Sequence, residues 1–415
     1  MAKVIPFKAI RPQNDKVHLV ASRSVDGYNP SELRDKLSGN PYSFLHVINP
    51  DFEDGIRTKP GSQERLLKVK NHFKKFIREK IFLRDENPCY YLYRQIKEGN
   101  EFIGIIACTS IDDYMTGVIK IHEQTLTQRE EKLKDYLDVC EFNAEPVLFC
   151  YPNDAIIDSL SSEIAETRSD YDFTTSDKVR HTVWVIDSKK NVKTVMERFA
   201  AIPIIYIADG HHRSASATLL GKLRRSTRKS YTGQEAFNYY LGIFFPETHL
   251  KIYDYNRVVK DLNGLSVSEI LNQLQLYFTI NEINATDFKS SRIHQLSMYV
   301  ENKWYSLNTK ESIFNPNDPI DSLDSAILTK YILSPIFNIH DLKTDKRIGF
   351  VPGVRGSSEL KKQVDEGKAA IAFGLFPVTM EHLKWIADTN HIMPPKTTWI
   401  EPKMRSGLVI YSLEE

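Results

Sequence analysis

Apolar residues recur along this chain in two rhythms, and the alternation between them predicts its architecture. Leu66, Leu67, Val69, Phe73, Phe76 and Ile77 keep a helical period among many lysines, so residues 62–84 read as an amphipathic helix with a solvated basic face. Residues 90–96 and 101–110 are β-prone runs that flank Lys97-Glu98-Gly99-Asn100, which predicts a hairpin. The helical period returns over 128–140 at Leu133, Tyr136, Leu137 and Cys140. Residues 145–151 (EPVLFCY) and 181–186 (HTVWVI) read as buried strands separated by a helical stretch over 158–168. A helix over 192–199, a short apolar strand over 202–207 and a further helix over 214–223 follow. Strands and helices therefore alternate, the pattern of an α/β or α+β sheet protein.

The flanking regions read differently. The first sixty residues carry the turn signals Arg11-Pro12, Asp26-Gly27, Asn29-Pro30, Asn40-Pro41 and Asn49-Pro50, with a helix opening behind Pro30 over 31–37. Beyond Leu262, a helix over 267–277, a strand over 279–283 and a hairpin within 298–307 suggest a smaller α+β portion. A strand over 369–376 and a helix over 380–389 precede Met393-Pro394-Pro395-Lys396-Thr397-Thr398-Trp399, whose prolines favour an extended, ordered loop. These changes divide the chain into an N-terminal α+β portion at 1–105, a core at 106–260, a small α+β portion at 261–330 and a C-terminal portion at 331–415 that packs on the core. No internal repeat interrupts them.

Composition narrows the function classes. With 415 residues, 41% of them hydrophobic and 26% charged, the chain has the makeup of a folded protein. Lys and Arg number 55 against 54 Asp and Glu, a net charge of +1 that provides no field for nucleic acid or anionic membrane. Nucleic-acid binding is therefore not expected, and a small-molecule partner is. Apolar runs stay far shorter than the roughly 20 residues of a membrane-crossing helix. The opening MAKVIPFKAIR lacks the apolar stretch of a signal peptide, so the expectation is a soluble, cytosolic (cytoplasmic) protein. Cys89, Cys108, Cys140 and Cys150 show no CxxC spacing and read as buried thiols. The oligomeric state is not encoded in any of these features.

Chemistry concentrates in residues 204–217, IIYIADGHHRSASA, at a strand-to-helix turn. Glycine permits close backbone approach there, and a helix start presents outward N–H donors. Gly210 suits a left-handed conformation, His211 and His212 offer ring donors, and Arg213 offers a planar fork for phosphate. The plainer reading makes Asp209 a helix cap and Arg213 the partner of a carboxylate. A second segment, Lys120-Ile121-His122-Glu123-Gln124-Thr125, presents a base, an acid and a hydroxyl together beside a helix start, although a lone Glu is usually solvated surface. Zinc held by His122, His181, His211 and His212 is disfavoured, since adjacent side chains diverge and no HExxH or CxxC is present. Neither GxxxxGK[ST] nor a complete GxGxxG occurs, so any nucleotide is held by other means.

These segments resemble a large, mostly uncharacterised domain family of the ParB/sulfiredoxin-like superfamily, related to the free-serine kinases. The resemblance runs the length of the chain. It rests on Pro6-Phe7-Lys8-Ala9, on the segment from Lys120 to Thr125, on Ala208-Asp209-Gly210-His211-His212-Arg213, and on Met393-Pro394-Pro395-Lys396 with Ser406-Gly407-Leu408. It implies a mixed-sheet α/β (α+β) core, at 106–260, that binds nucleotide, with N-terminal and C-terminal elaborations. It also implies a kinase that moves a phosphoryl group from ADP or ATP to the hydroxyl of free L-serine or a similar metabolite. In the related kinases a His-Glu pair precedes a DGxHR turn, and the glutamate is taken as the base. That role carries to Glu123, with His122 beside it. Asp209 then lies near the reacting hydroxyl or Mg²⁺, and residues 210–213 near the nucleotide phosphates. No protein ligand for the metal is otherwise implied. Thr125 and Lys396 are possible substrate contacts, and Lys403 could likewise reach a phosphate or carboxylate.

Relatives commonly have a Pro-Pro-Tyr-Asp type segment where this chain has Ser22-Arg23-Ser24-Val25-Asp26-Gly27-Tyr28. The competing reading is a nucleotide-binding regulatory or interaction module that turns over no small molecule. The basic cluster Lys222, Arg224, Arg225, Arg228 and Lys229 reads as a solvated helix end.

Overall fold

A computed structural model describes residues 1–414, the side chain of Asp54 excepted. The fold is mixed α/β and divides into two units. The first comprises Met1–Lys120, Thr125–Leu250 and Pro402–Glu415; the second comprises Ile121–Gln124 and Lys251–Glu401. No helix among the described residues is long and apolar enough to cross a membrane. All four cysteines are buried thiols without a disulfide.

The first unit is built on a nine-stranded sheet. Its strands are β1 (Val4–Ile5), β2 (Tyr90–Lys97), β3 (Asn100–Ser110), β4 (Ile119–Lys120), β5 (Val147–Tyr151), β6 (Tyr171–Thr174), β7 (Arg180–Ile186), β8 (Ile205–Asp209) and β9 (Tyr239–Pro246). The spatial order is β4-β8-β5-β9-β3-β2-β7-β6, with β1 paired to β3. The β2–β3 hairpin forms where expected because Glu98 and Gly99 both take positive φ, 50° and 78°, the geometry whose twist matches paired strands. Every residue of β9 is buried, so it shows the continuous apolar run of a central strand. Phe149 of β5 stacks on Phe244 of β9 with ring centroids 4.8 Å apart, and Phe199 meets Phe244 edge-on at 5.4 Å. Such pairs add about 0.5–1.5 kcal/mol each to their area burial.

Three helices matter for the site: α1 (Gln63–Arg78), α2 (Thr127–Cys140) and α3 (His211–Thr227). In α1 the Ser62 side chain accepts the Arg65 N–H, and Leu66, Val69, Phe73 and Phe76 face the core. The helix expected over 62–84 stops at Arg78. Lys80 takes φ 55°, and Phe82–Arg84 turn into a strand paired antiparallel with Ile10–Pro12. Apolar spacing hid this break, because Ile81 and Phe82 bury into the same cluster as the helix face. The strand expected over 202–207 begins later, at Ile205, since the Ile202 N–H closes the preceding helix on the Phe199 carbonyl. Helix α3 starts three residues before the expected Ser214, at His211, because Gly210 ends the strand with φ 103°.

The second unit has a seven-stranded sheet of its own, ordered Phe278–Ile283, Lys303–Thr309, Gln295–Val300, Ile371–Gly374, Lys251–Val259 and Ile348–Pro352. Thr398–Glu401 pairs with the first half of Lys251–Val259. The hairpin expected within 298–307 joins Gln295–Val300 to Lys303–Thr309 through Glu301 and Asn302, at φ 46° and 62°. Its core gathers Ile270, Leu274, Phe278, Leu296, Met298, Ile327 and Phe337.

Candidate functional site

The carboxyl end of β8 is where the first unit assembles its charged groups. β8 runs antiparallel to β5 until the register slips: Ile207 faces Phe149, whereas Asp209 faces Leu148. A bulge therefore falls at Ala208 and re-aims the next side chain, Asp209. Gly210 follows in the left-handed region, at φ 103°. A Cβ at this position would sit 3.0 Å from the Arg213 guanidinium, so glycine leaves the room into which Arg213 folds back. The opening N–H groups of a helix point outward along its axis and carry partial positive charge, and those of α3 emerge at this turn.

Each side chain of residues 209–213 is held by identifiable partners. Lys403 Nζ donates to Asp209 Oδ2 at 2.8 Å. Partial burial pushes the Asp209 carboxyl up, but Lys403 and Arg213 more than offset it, so it stays ionised well below the usual carboxylate range. Burial pushes His211 down to about 3 against the opposing pull of Asp209, which leaves its imidazole neutral at neutral pH. His212 Nε2 accepts the Leu126 N–H at 3.1 Å, which places that ring's proton on Nδ1. Arg213 Nη1 donates to the Pro146 carbonyl at 2.6 Å and lies 3.9 Å from Glu145. Glu145 in turn accepts the Ser406 hydroxyl at 2.7 Å. Two cations, Arg213 and Lys403, thus face two carboxylates, Asp209 and Glu145, around one glycine turn.

The remaining predicted residues fall in several places. Thr125 belongs to the first unit, and its hydroxyl donates to Glu130 one turn into α2. His122 and half-buried Glu123 group with the second unit. The His122 carbonyl accepts the Met393 N–H at 2.9 Å. Within the first unit, Lys120 pairs with Tyr206 in β8, and the Leu126 N–H donates to His212. Lys396 is exposed, with its Nζ 5.6 Å from the Tyr255 ring in the second unit. His181, weighed as a metal ligand, has both ring nitrogens engaged, one with the Tyr93 hydroxyl at 2.7 Å and the other with Arg405 Nε at 3.2 Å. Burial and the Arg405 charge push it down to about 3.

Glu145, Ser406 and the ion pair of Lys403 with Asp209 were not assigned to the turn from sequence. Lys403 stands 194 residues from its partner, and no local pattern joins them.

The family described as "Protein of unknown function (DUF1015)" matches residues 4–326. No curated protein matches the sequence. Among solved structures, a free serine kinase variant in complex with AMP is similar at 12% identity and a TM-score of 0.38, covering 72% of this chain and 88% of that one. A conserved hypothetical protein from Pyrococcus furiosus is similar at 14% identity and a TM-score of 0.37, covering 74% and 95%. SbnI with a C-terminal truncation, from Staphylococcus aureus, is similar at 12% identity and a TM-score of 0.38, covering 71% and 82%.

Proposed function

We propose, from the premise that this chain belongs to the DUF1015 family of proteins of unknown function, that it is a nucleotide-dependent phosphotransferase. Its donor is ADP or ATP and its acceptor the hydroxyl of free L-serine or a similar small metabolite, on a ParB/sulfiredoxin-like first unit. One observation carries the reading: the turn at the end of β8, where left-handed Gly210 opens α3 and Arg213 folds back beside it with Lys403 on Asp209. Phosphoryl transfer is chiefly a matter of positioning and of neutralising charge spread over the transferred oxygens. Arg213, Lys403 and the α3 N-terminus supply that neutralisation without a Gly-rich nucleotide signature.

Glu123 is the base in this reading. The acceptor hydroxyl gives its proton to Glu123 and its oxygen bonds the terminal phosphorus. The bond from that phosphorus to the bridging oxygen breaks, which releases AMP from ADP or ADP from ATP. Asp209 offers the hard carboxylate oxygens that Mg²⁺ takes when it is bound mainly through nucleotide phosphates, and the ion would add charge neutralisation there. Lys403 holds that carboxylate in place and ionised.

Incubating the full chain with labelled nucleotide, Mg²⁺ and L-serine tests the assignment. Glu123→Gln is expected to lower the rate of phosphoserine formation by about 10²- to 10⁴-fold. A wild type that makes no more phosphoserine than this variant refutes the serine assignment. Nucleotide binding that is lost in Arg213→Ala, with no hydroxyl acceptor phosphorylated, would instead identify a binding module.

A further inference from the structure

Beside the phosphate turn, the first unit contains a cavity of about 190 Å³ whose walls include Phe44, Leu133, Tyr136 and Phe142. Four polar residues, Asn143, Glu145, Arg213 and Ser216, also line it. Of these, Arg213 folds back to the Gly210 turn. We propose that this cavity is a base subsite, and that it takes the purine of the nucleotide whose phosphates the 209–213 turn holds. The inference rests on the nucleotide reading of that turn and adds where the rest of the donor sits.

Size is the first argument. An apolar cavity of about 150 Å³ is known to take one benzene ring. The cavity here, at 190 Å³, is larger by an amount that suits a flat fused ring system. Wall chemistry is the second. Tyr136 meets Phe142 edge-on at 5.7 Å, and Phe44 meets Phe142 edge-on at 6.3 Å, so the lining is aromatic and rigid. Small-molecule sites combine such apolar walls with a few placed polar groups. Continuity is the third. The Arg213 side chain borders the cavity while its guanidinium reaches the Gly210 turn, so one residue spans from base to phosphate.

Calorimetry on the full chain with ADP, CDP and pyrophosphate tests this. Wild type is expected to bind ADP at least about 10-fold more tightly than CDP. Asn143→Leu replaces a polar lining residue with an apolar one, and Leu133→Trp fills the cavity from a partly exposed position, so that if one variant fails to fold the other still reports. Each is expected to weaken ADP about 10-fold or more while pyrophosphate binding stays within twofold. ADP affinity unchanged in both variants, or equal affinity for ADP and CDP in wild type, overturns the subsite and leaves the phosphate turn standing. Pyrophosphate binding without any ADP binding does the same. Binding of neither ligand overturns both readings.

Discussion

At Gly210 backbone conformation and site chemistry meet in one residue. Its φ of 103° is a region that side chains rarely adopt, and a Cβ there would press on the Arg213 guanidinium at 3.0 Å. Gly210→Ala is therefore expected to cost about 1–2 kcal/mol of stability and to displace the arginine. The checks are a lowered urea midpoint and loss of ADP affinity in calorimetry. Asp324, in the second unit, makes a different prediction. It is buried, and burial pushes its carboxyl up to about 7 even though the N–H groups of His294 and Phe376 donate to it and pull it down. In the unfolded chain the same group titrates near 4. Between about pH 4 and pH 7 the folded state thus holds a proton that the unfolded state has released. Stability contributed by this group is greatest at low pH and declines as pH rises through that window, by at most about 4 kcal/mol. Asp324→Asn should flatten the decline, so that urea unfolding at pH 5 and pH 8 differs less in the variant than in wild type. An unchanged pH slope would remove Asp324 as its source.

The strand-turn-helix of β8 and α3 shows what could be read along the chain and what could not. Alternating strand and helix signals, the hairpin turn at Glu98-Gly99 and the helical period of α2 are local properties, and each produced its element in place. The motif residues 209–213 were visible for the same reason. The early start of α3 was not: His211, His212 and Arg213 are polar and add nothing to an apolar period, so the left-handed Gly210 alone decides where the helix begins. Nor was the end of α1, where the apolar spacing runs on through Ile81 and Phe82 into a strand. Partners far along the chain were least legible. The segment Pro402–Glu415 places Lys403 on Asp209, Ser406 on Glu145 and Arg405 on His181 and Asp177. Arg405 is buried and holds Asp177 down to about 2 against its own partial burial. Arg405→Met would leave His181 Nε2 with only the Thr175 hydroxyl at 3.4 Å, and would take from Asp177 the cation it is paired with. A loss of about 1–3 kcal/mol is expected, read as a lower urea midpoint. A midpoint equal to wild type would show that the Arg405 contacts add nothing to how this segment is held.

Over the whole molecule, each unit has a sheet and buried apolar side chains of its own, and the proposed phosphate and base contacts fall in the first. A ligand that binds only the native state stabilises what it touches, by about 2.7 kcal/mol at a concentration one hundred times its Kd. Local opening is not uniform through a structure, so this stabilisation is resolved by position in amide hydrogen exchange. Saturating ADP should slow exchange across β8, the first turns of α3, the facing part of α2 and residues 142–146. The hairpin Gln295–Val300 and Lys303–Thr309, which lies in the second unit and includes buried Leu296, Met298 and Leu307, should exchange at its ligand-free rate. Pyrophosphate alone should protect the 209–213 turn without protecting residues 133–143, because it has no base to place against Tyr136 and Phe142. Near-zero net charge provides no competing route for the nucleotide through nonspecific anion binding, so the protection should persist from 50 to 200 mM salt better than a purely phosphate-driven interaction would. Protection that spreads evenly over both units, or that appears first in the second unit, would mean that the turn at the end of β8 is a helix cap and the nucleotide, if bound, is held elsewhere.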